Sequence, residues 1–230
     1  MVLIRHGRST ANTAGVLAGR NPGVTLDDEG RRQAERTGQR LAGVDLARIV
    51  SSPLERCVQT AQALSATGER PPLELDDDLL ECDYGDWSGR SLQELAGEEL
   101  WKVVQRQPSA AAFPGGESMR HMQARAVHAV RRHDRAVSDA HGPEAVWVAV
   151  SHGDLIKGVL ADALGLHLDL FQRIRVDPAS VSVVRYTAER PYVLTQNSHE
   201  GDLAWIVPAA QSGSDAAVGG GAGPASRPTA

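Results

Sequence analysis

Short apolar runs rich in β-branched residues alternate along the chain with stretches whose apolar positions recur at helical spacing. Residues 2–4, 48–51, 145–150 and 181–186 read as buried strands. Between them, Asp27 is placed to cap a helix whose inner face carries Gly30, Ala34, Thr37, Gly38 and Leu41. Residues 54–64 form a second helix with Cys57, Ala61 and Leu64 on one side, and the Ser91/Glu94 pair is a reciprocal capping box announcing a helix from Leu92 toward Val104. Ser118 caps a long helix that buries Met122, Ala126, Ala129, Val130 and Val137 and turns Arg125, Arg131, Arg132 and Arg135 to solvent. Asp154 caps a further helix that stops at Gly165, a natural left-handed terminator. Alternating strands and helices predict an α/β fold, a three-layer α/β/α sandwich around a mainly parallel sheet.

Composition divides the chain into two parts. Residues 1–208 carry all the periodic segments and form one domain, whereas 209–230 are almost entirely Gly, Ala, Ser and Pro, a tail that cannot offset its own chain entropy and is expected to be disordered. No run of apolar residues is long enough for a membrane span. The opening Met-Val-Leu-Ile-Arg-His-Gly leaves no room for a secretory signal, which predicts a cytoplasmic protein. The 29 acidic against 24 basic residues give a formal charge of −5, which argues against nucleic acid or anionic lipid as the main partner. Cys57 and Cys82 read as free thiols, too few for a disulfide scaffold or a zinc cage. His121 and His128, seven apart on one helix, lack a third ligand, so neither metal nor cofactor is expected.

In open sheets of this kind ligands sit beyond the carboxyl ends of the strands. Three strand ends deliver reactive residues there: Arg5-His6-Gly7, Pro53-Leu54-Glu55-Arg56 and Ser151-His152-Gly153-Asp154. A neutral imidazole flanked by guanidinium groups can attack phosphorus. Arg5 and Arg56 match phosphate oxygens and depress the pKa of His6, keeping it nucleophilic, and His152 can donate to a phosphoryl oxygen. The departing alkoxide needs a proton, and Glu81 is the best-placed acid, with Asp83 as the alternative.

These residues closely resemble the motifs of the histidine phosphatase superfamily. Arg5-His6-Gly7 with Ser9 and Asn12, Ser51 to Arg56 with Thr60-Ala61, Leu79 to Gly85, and Ser151-His152-Gly153 appear in that family's order and span residues 2–197. The resemblance implies the phosphoglycerate mutase-like form of the fold and a covalent phosphohistidine on His6. It also implies a phosphate pocket of Arg5, Arg56 and His152 lined by Ser9 and Asn12, a proton donor in Glu81, and a substrate-bordering Gly116-Glu117-Ser118 stretch in which Ser118 also serves as a helix cap.

The same family contains phosphatases and mutases. The segment from Gly85 to Ser118 is short and lacks the long arginine- and proline-rich insertion of the mutases, and Ala11 stands where they carry an aromatic residue. The expected activity is therefore hydrolysis of a small phosphomonoester. A phosphoglycerate mutase-type phosphomutase is the alternative, and a catalytically weak phospho-ligand binding module is the third reading. Arg8 would add a cation suited to a second anionic group on the substrate, while Asp154 pulls the other way. The expected partner is a phosphorylated small molecule, with a homo-oligomer left open.

Overall fold

The computed structural model describes residues 1–66, 69–203 and 206. The elements, in chain order, are β1 (Val2–Arg5), α1 (Thr10–Ala14), α2 (Asp28–Arg40), β2 (Leu46–Ser51), α3 (Glu55–Ser65), β3 (Leu73–Leu75), α4 (Leu92–Leu95), α5 (Glu99–Arg106), α6 (Met119–His141), β4 (Val146–Ser151), α7 (Gly153–Ala163), β5 (Val181–Tyr186) and β6 (Pro191–Ser198). Six strands form one sheet in the order β3-β2-β4-β1-β5-β6. The β1–β4, β2–β4 and β2–β3 pairings are parallel, and β5 runs antiparallel to both β1 and β6. The sheet is thus mixed, with the expected parallel part at its centre.

Central β4, Val-Trp-Val-Ala-Val-Ser, is buried along its whole length, as a strand covered on both faces must be. On one face Ile4, Ile49 and Val148 pack with Cys57, Ala61 and Leu64 of α3 and with Leu41 at the end of α2. On the other, Leu3, Val50 and Ala149 pack with Met122, Ala126 and Ala129 of α6 and with Leu155 and Val159 of α7. Each helix stacks an i, i+3/i+4 stripe against the sheet, which gives the layered arrangement its cohesion.

The four strands read from the sequence are β1, β2, β4 and β5: β1 and β2 are longer by one and two residues, β4 is shifted by one, and β5 has the bounds expected. The pattern missed both edges. β3 has only three residues, none fully buried, after a Pro-Pro pair, and β6 begins at a proline and is only half-covered, so neither shows a clean two-residue alternation. The capping box at Ser91 is present, but its helix ends at Leu95. The chain turns through Ala96–Glu98 around Gly97 before α5 begins. Asp154 does not cap α7: His152 occupies the cap position, Asp154 lies in the first turn, and Gly165 is left-handed as expected. The boundary at 208 and the tail lie outside the described residues, and no described helix is long and apolar enough to cross a membrane.

Candidate active site

The parallel register of β1, β2 and β4 brings their carboxyl ends to one edge, and backbone hydrogen bonds continue past the strands. His6 N–H donates to the Ser151 carbonyl and Ser52 N–H to the Val150 carbonyl, each at 2.9 Å. The residues after each strand are therefore placed by the sheet itself. The His6 and His152 rings lie 5.3 Å apart at 62°.

His6 is 4% exposed, and its Nδ1 donates to the Gly7 carbonyl at 2.7 Å, which leaves Nε2 with a free lone pair. Burial, then the Arg56 and Arg5 charges, push its pKa well below the ordinary histidine range. Arg56 is 2% exposed and donates through Nη2 to the Gly19 carbonyl at 2.8 Å and to His152 Nδ1 at 3.3 Å. Arg5 donates through Nη1 to the Val176 carbonyl at 2.8 Å. Arg5 Nε and Arg56 Nη1 are buried without a hydrogen-bond partner among the described residues. Two orphaned guanidinium N–H groups are costly in isolation and are the natural donors for an anion.

An arginine can only donate, so His152 Nδ1 accepts, and the neutral ring carries its proton on Nε2, which donates to Ser52 Oγ at 2.8 Å. Burial, Arg56, His6 and Arg5 lower the His152 pKa and keep it neutral. Both its nitrogens are thus engaged by the protein, and the Cys57 thiol packs against it at 3.4 Å. Burial pushes that thiol up to about 12, so it is a neutral packing group.

The loop after β1 lies flat against α2. A Cβ on Gly30 would stand 1.9 Å from the Arg8 carbonyl, so only glycine allows this approach. Gly7 N–H donates to Thr60 Oγ1 at 3.1 Å, and Thr60 Oγ1 in turn donates to the Arg56 carbonyl at 2.7 Å, tying the loop to α3. Ser9 caps α1 and closes a capping box with Asn12, whose Oδ1 accepts from Ser9 N–H and Oγ at 3.0 and 2.9 Å. Arg8, expected as an added cation suited to a second anionic group, donates Nε to Asp27 at 2.6 Å. Asp27 meanwhile caps α2 through Gly30 N–H.

Glu81 follows a single 3₁₀ turn at Asp77–Leu79 and is half-buried. Burial first, then the Asp154 carboxylate, raise its pKa to about 7. Asp154 is held by the Tyr84 hydroxyl at 2.9 Å and by Lys157 at 3.3 Å. Asp83, the alternative acid, accepts from Gly85 N–H at 3.1 Å and faces Arg20 at 3.7 Å. Ser118 is a helix cap, accepting from His121 N–H at 3.1 Å.

Two features escaped the sequence reading. Arg125 is not on the solvated face of α6: its side chain is 11% exposed and forms a bidentate pair with Glu117, at 2.6 and 3.1 Å. The signal was present, because 125 lies three residues after Met122 and four before Ala129, on the buried stripe itself. Arg20, from the loop after α1, donates to the Glu81 carbonyl at 2.9 Å and to Glu117 at 3.0 Å. Nothing in its local sequence sets it apart.

The sequence profile of the histidine phosphatase superfamily (branch 1) matches residues 1–199. Phosphoserine phosphatase 1 of Hydrogenobacter thermophilus is 31% identical over 202 residues, covering 86% of this chain and 91% of that one. Glucosyl-3-phosphoglycerate phosphatase of Mycolicibacterium vanbaalenii is 33% identical over 174 residues, covering 74% and 76%. Among solved structures, a mycobacterial glucosyl-3-phosphoglycerate phosphatase in complex with VO3 superposes with a TM-score of 0.77 at 25% identity, covering 86% of this chain and 98% of that one.

Proposed function

The chain belongs to the histidine phosphatase superfamily, and from that premise we propose that it is a phosphatase that hydrolyses a small phosphomonoester through a phosphohistidine on His6. The observation that carries this reading is the pair of imidazole rings of His6 and His152, their centroids 5.3 Å apart, beside two buried guanidinium donors that have no hydrogen-bond partner among the described residues.

In the first step His6 Nε2 attacks phosphorus and the bond from phosphorus to the alkoxide oxygen breaks, while the Glu81 carboxyl gives its proton to that oxygen. Arg5 Nε and Arg56 Nη1 take the charge spreading over the phosphoryl oxygens, electrostatic stabilisation that requires no rearrangement at the moment of reaction. In the second step water attacks the phosphohistidine, its proton passes to the Glu81 carboxylate, and the P–N bond opens to give inorganic phosphate and neutral His6. His152 holds Arg56 in place through Nδ1, and Ser52 fixes the tautomer that allows it. Ser9 and Asn12 hold the loop after His6. The relatives named for phosphoserine and glucosyl-3-phosphoglycerate indicate the first substrates to try.

The test is chemical trapping. Denaturing the enzyme in base during turnover of a radiolabelled phosphomonoester should leave an acid-labile, base-stable label on the protein. His6→Ala should carry no label and turn over at least about 1,000-fold more slowly. Vanadate should inhibit and chelators should not. Activity lost to a chelator and restored by a divalent ion would overturn the mechanism.

A further inference from the structure

Glu81 sits in an irregular segment, and an acid that must meet a departing oxygen needs to be held to within a fraction of an ångström. The peptide on either side of it is gripped by side chains from two distant elements. Its own carbonyl accepts from Arg20 Nε at 2.9 Å and from Arg125 Nη2 at 3.0 Å, and Arg125 Nη1 donates to the Asp78 carbonyl at 2.8 Å. Glu117 Oε1 accepts from Asp83 N–H at 2.9 Å, and Glu117 N–H donates to the Asp83 carbonyl at 2.9 Å. Oε1 of this one carboxylate therefore receives Arg20, Arg125 and the Asp83 amide together. Arg132, about two turns further along α6, holds Asp76 and Asp78 at 2.6 and 3.0 Å, where the segment begins.

We propose that Glu117 and Arg125 are positioning residues for the reaction, which with Arg20 clamp the peptide of Glu81 so that its carboxyl is presented to the leaving-group oxygen. The inference rests on Glu81 being the proton donor. Stability alone is a poor explanation for the arrangement, since the Glu117 and Arg125 side chains are only 9% and 11% exposed. A guanidinium and a carboxylate buried together, with the part-exposed Arg20 beside them, bear a desolvation cost that an apolar contact would avoid. Burial works against the Glu117 charge, but the Arg125 hydrogen bond, the Asp83 amide and the two arginine charges outweigh it and hold its pKa below the ordinary carboxylate range. The carboxylate stays ionised, and the clamp stays closed.

The experiment compares an alkyl phosphate, whose alkoxide needs a proton, with an aryl phosphate, whose phenolate does not, in Glu117→Gln, Arg125→Met, Glu81→Gln and the double variants. Glu117→Gln and Arg125→Met should each lower kcat/KM, which covers only the steps through departure of the leaving group, by about 30-fold for the alkyl substrate, within the range a small misplacement costs. kcat/KM for the aryl substrate should change by less than about 3-fold. In the Glu81→Gln background, the same substitutions should have almost no further effect, because the group they position is gone. Equal losses on both substrates, or losses that add in full to that of Glu81→Gln, would overturn the proposal. If Glu81→Gln itself does not discriminate the two substrates, the proton donor has been misassigned, which overturns the reading beneath it by a separate result. Arg125→Lys, which keeps the charge but cannot span the Glu81 and Asp78 carbonyls, should retain the discrimination if Arg125→Met does not fold.

Discussion

His6 and Glu81 belong to one site but are placed in different ways. His6 extends a central strand, and its backbone is fixed by Ser151 of β4 and by Ala179, whose N–H donates to the Arg5 and His6 carbonyls from a left-handed conformation that an alanine adopts only under constraint. Glu81 lies beyond any strand, and its peptide is fixed by guanidinium and carboxylate groups sent across from α6 and from the loop after α1. One region is positioned by main-chain geometry, the other by charged side chains. The first should therefore be sensitive to shape and the second to charge.

The sharpest separation comes from Arg56→Lys. The buried guanidinium spans Gly19, His152 and the space left for an anion, and a lysine keeps the charge while losing the fork. kcat/KM should fall by about 100- to 1,000-fold for alkyl and aryl phosphates alike, because a phosphoryl donor is lost regardless of the leaving group. A loss confined to alkyl substrates would place Arg56 with the acid region and erase the distinction.

The acid region should show itself in pH. Glu81 must be protonated to donate to the leaving group, so kcat/KM on an alkyl phosphate should decline as pH rises through about 7. Glu81→Gln should lower the neutral-pH rate by about 100-fold on that substrate and abolish the decline. Asp154→Asn removes the like charge that helps keep the proton on Glu81, and should move the decline to lower pH while leaving the aryl rate near the parent value. A decline that stays fixed in Asp154→Asn would show that burial alone sets the acid.

The same contrast explains what could be read from the sequence. The strand ends were legible because β1, β2 and β4 are short apolar runs that stop at polar residues, and a parallel sheet brings such stops to one edge. His6, Arg5, Arg56 and His152 follow from that rule even without a family resemblance. The clamp was not legible, because Arg20 comes from the loop after α1 and Glu117 and Arg125 from the start of α6, and these meet Glu81 only through folding. Arg125 was misread for a specific reason: among the many arginines of α6 its charge suggested solvent, although its spacing from Met122 and Ala129 placed it on the buried stripe. The Arg8–Asp27 pair was not legible either, as Asp27 had been accounted for only as a cap. The edge strands β3 and β6 lack a fully covered face, and hence a pattern to read.

The smallest effect is on stability, and the two regions should pull it in opposite directions. His6 has a folded pKa below its unfolded value near 6.5, so the unfolded chain binds the proton more readily; stability is fully present above that value and is lost as pH falls below it. Glu81 has a folded pKa of about 7 against an unfolded value of 4.5, so the folded chain holds the proton more tightly, and stability is lost as pH rises from 4.5 through 7. The parent protein should therefore be destabilised by both acid and base relative to the interval between. Glu81→Gln, neutral throughout, should keep the acid-side loss and be spared the base-side one. At pH 8 it should be more stable than the parent by about 1 kcal/mol, allowing for the residue's partial exposure, and the difference should shrink below pH 5. Denaturant titrations of both proteins at pH 5 and pH 8 measure this directly. A variant no more stable than the parent at pH 8 would mean that the Glu81 carboxylate is not disfavoured by its surroundings, and the charge-held region would then have no reason to keep a proton for the leaving group.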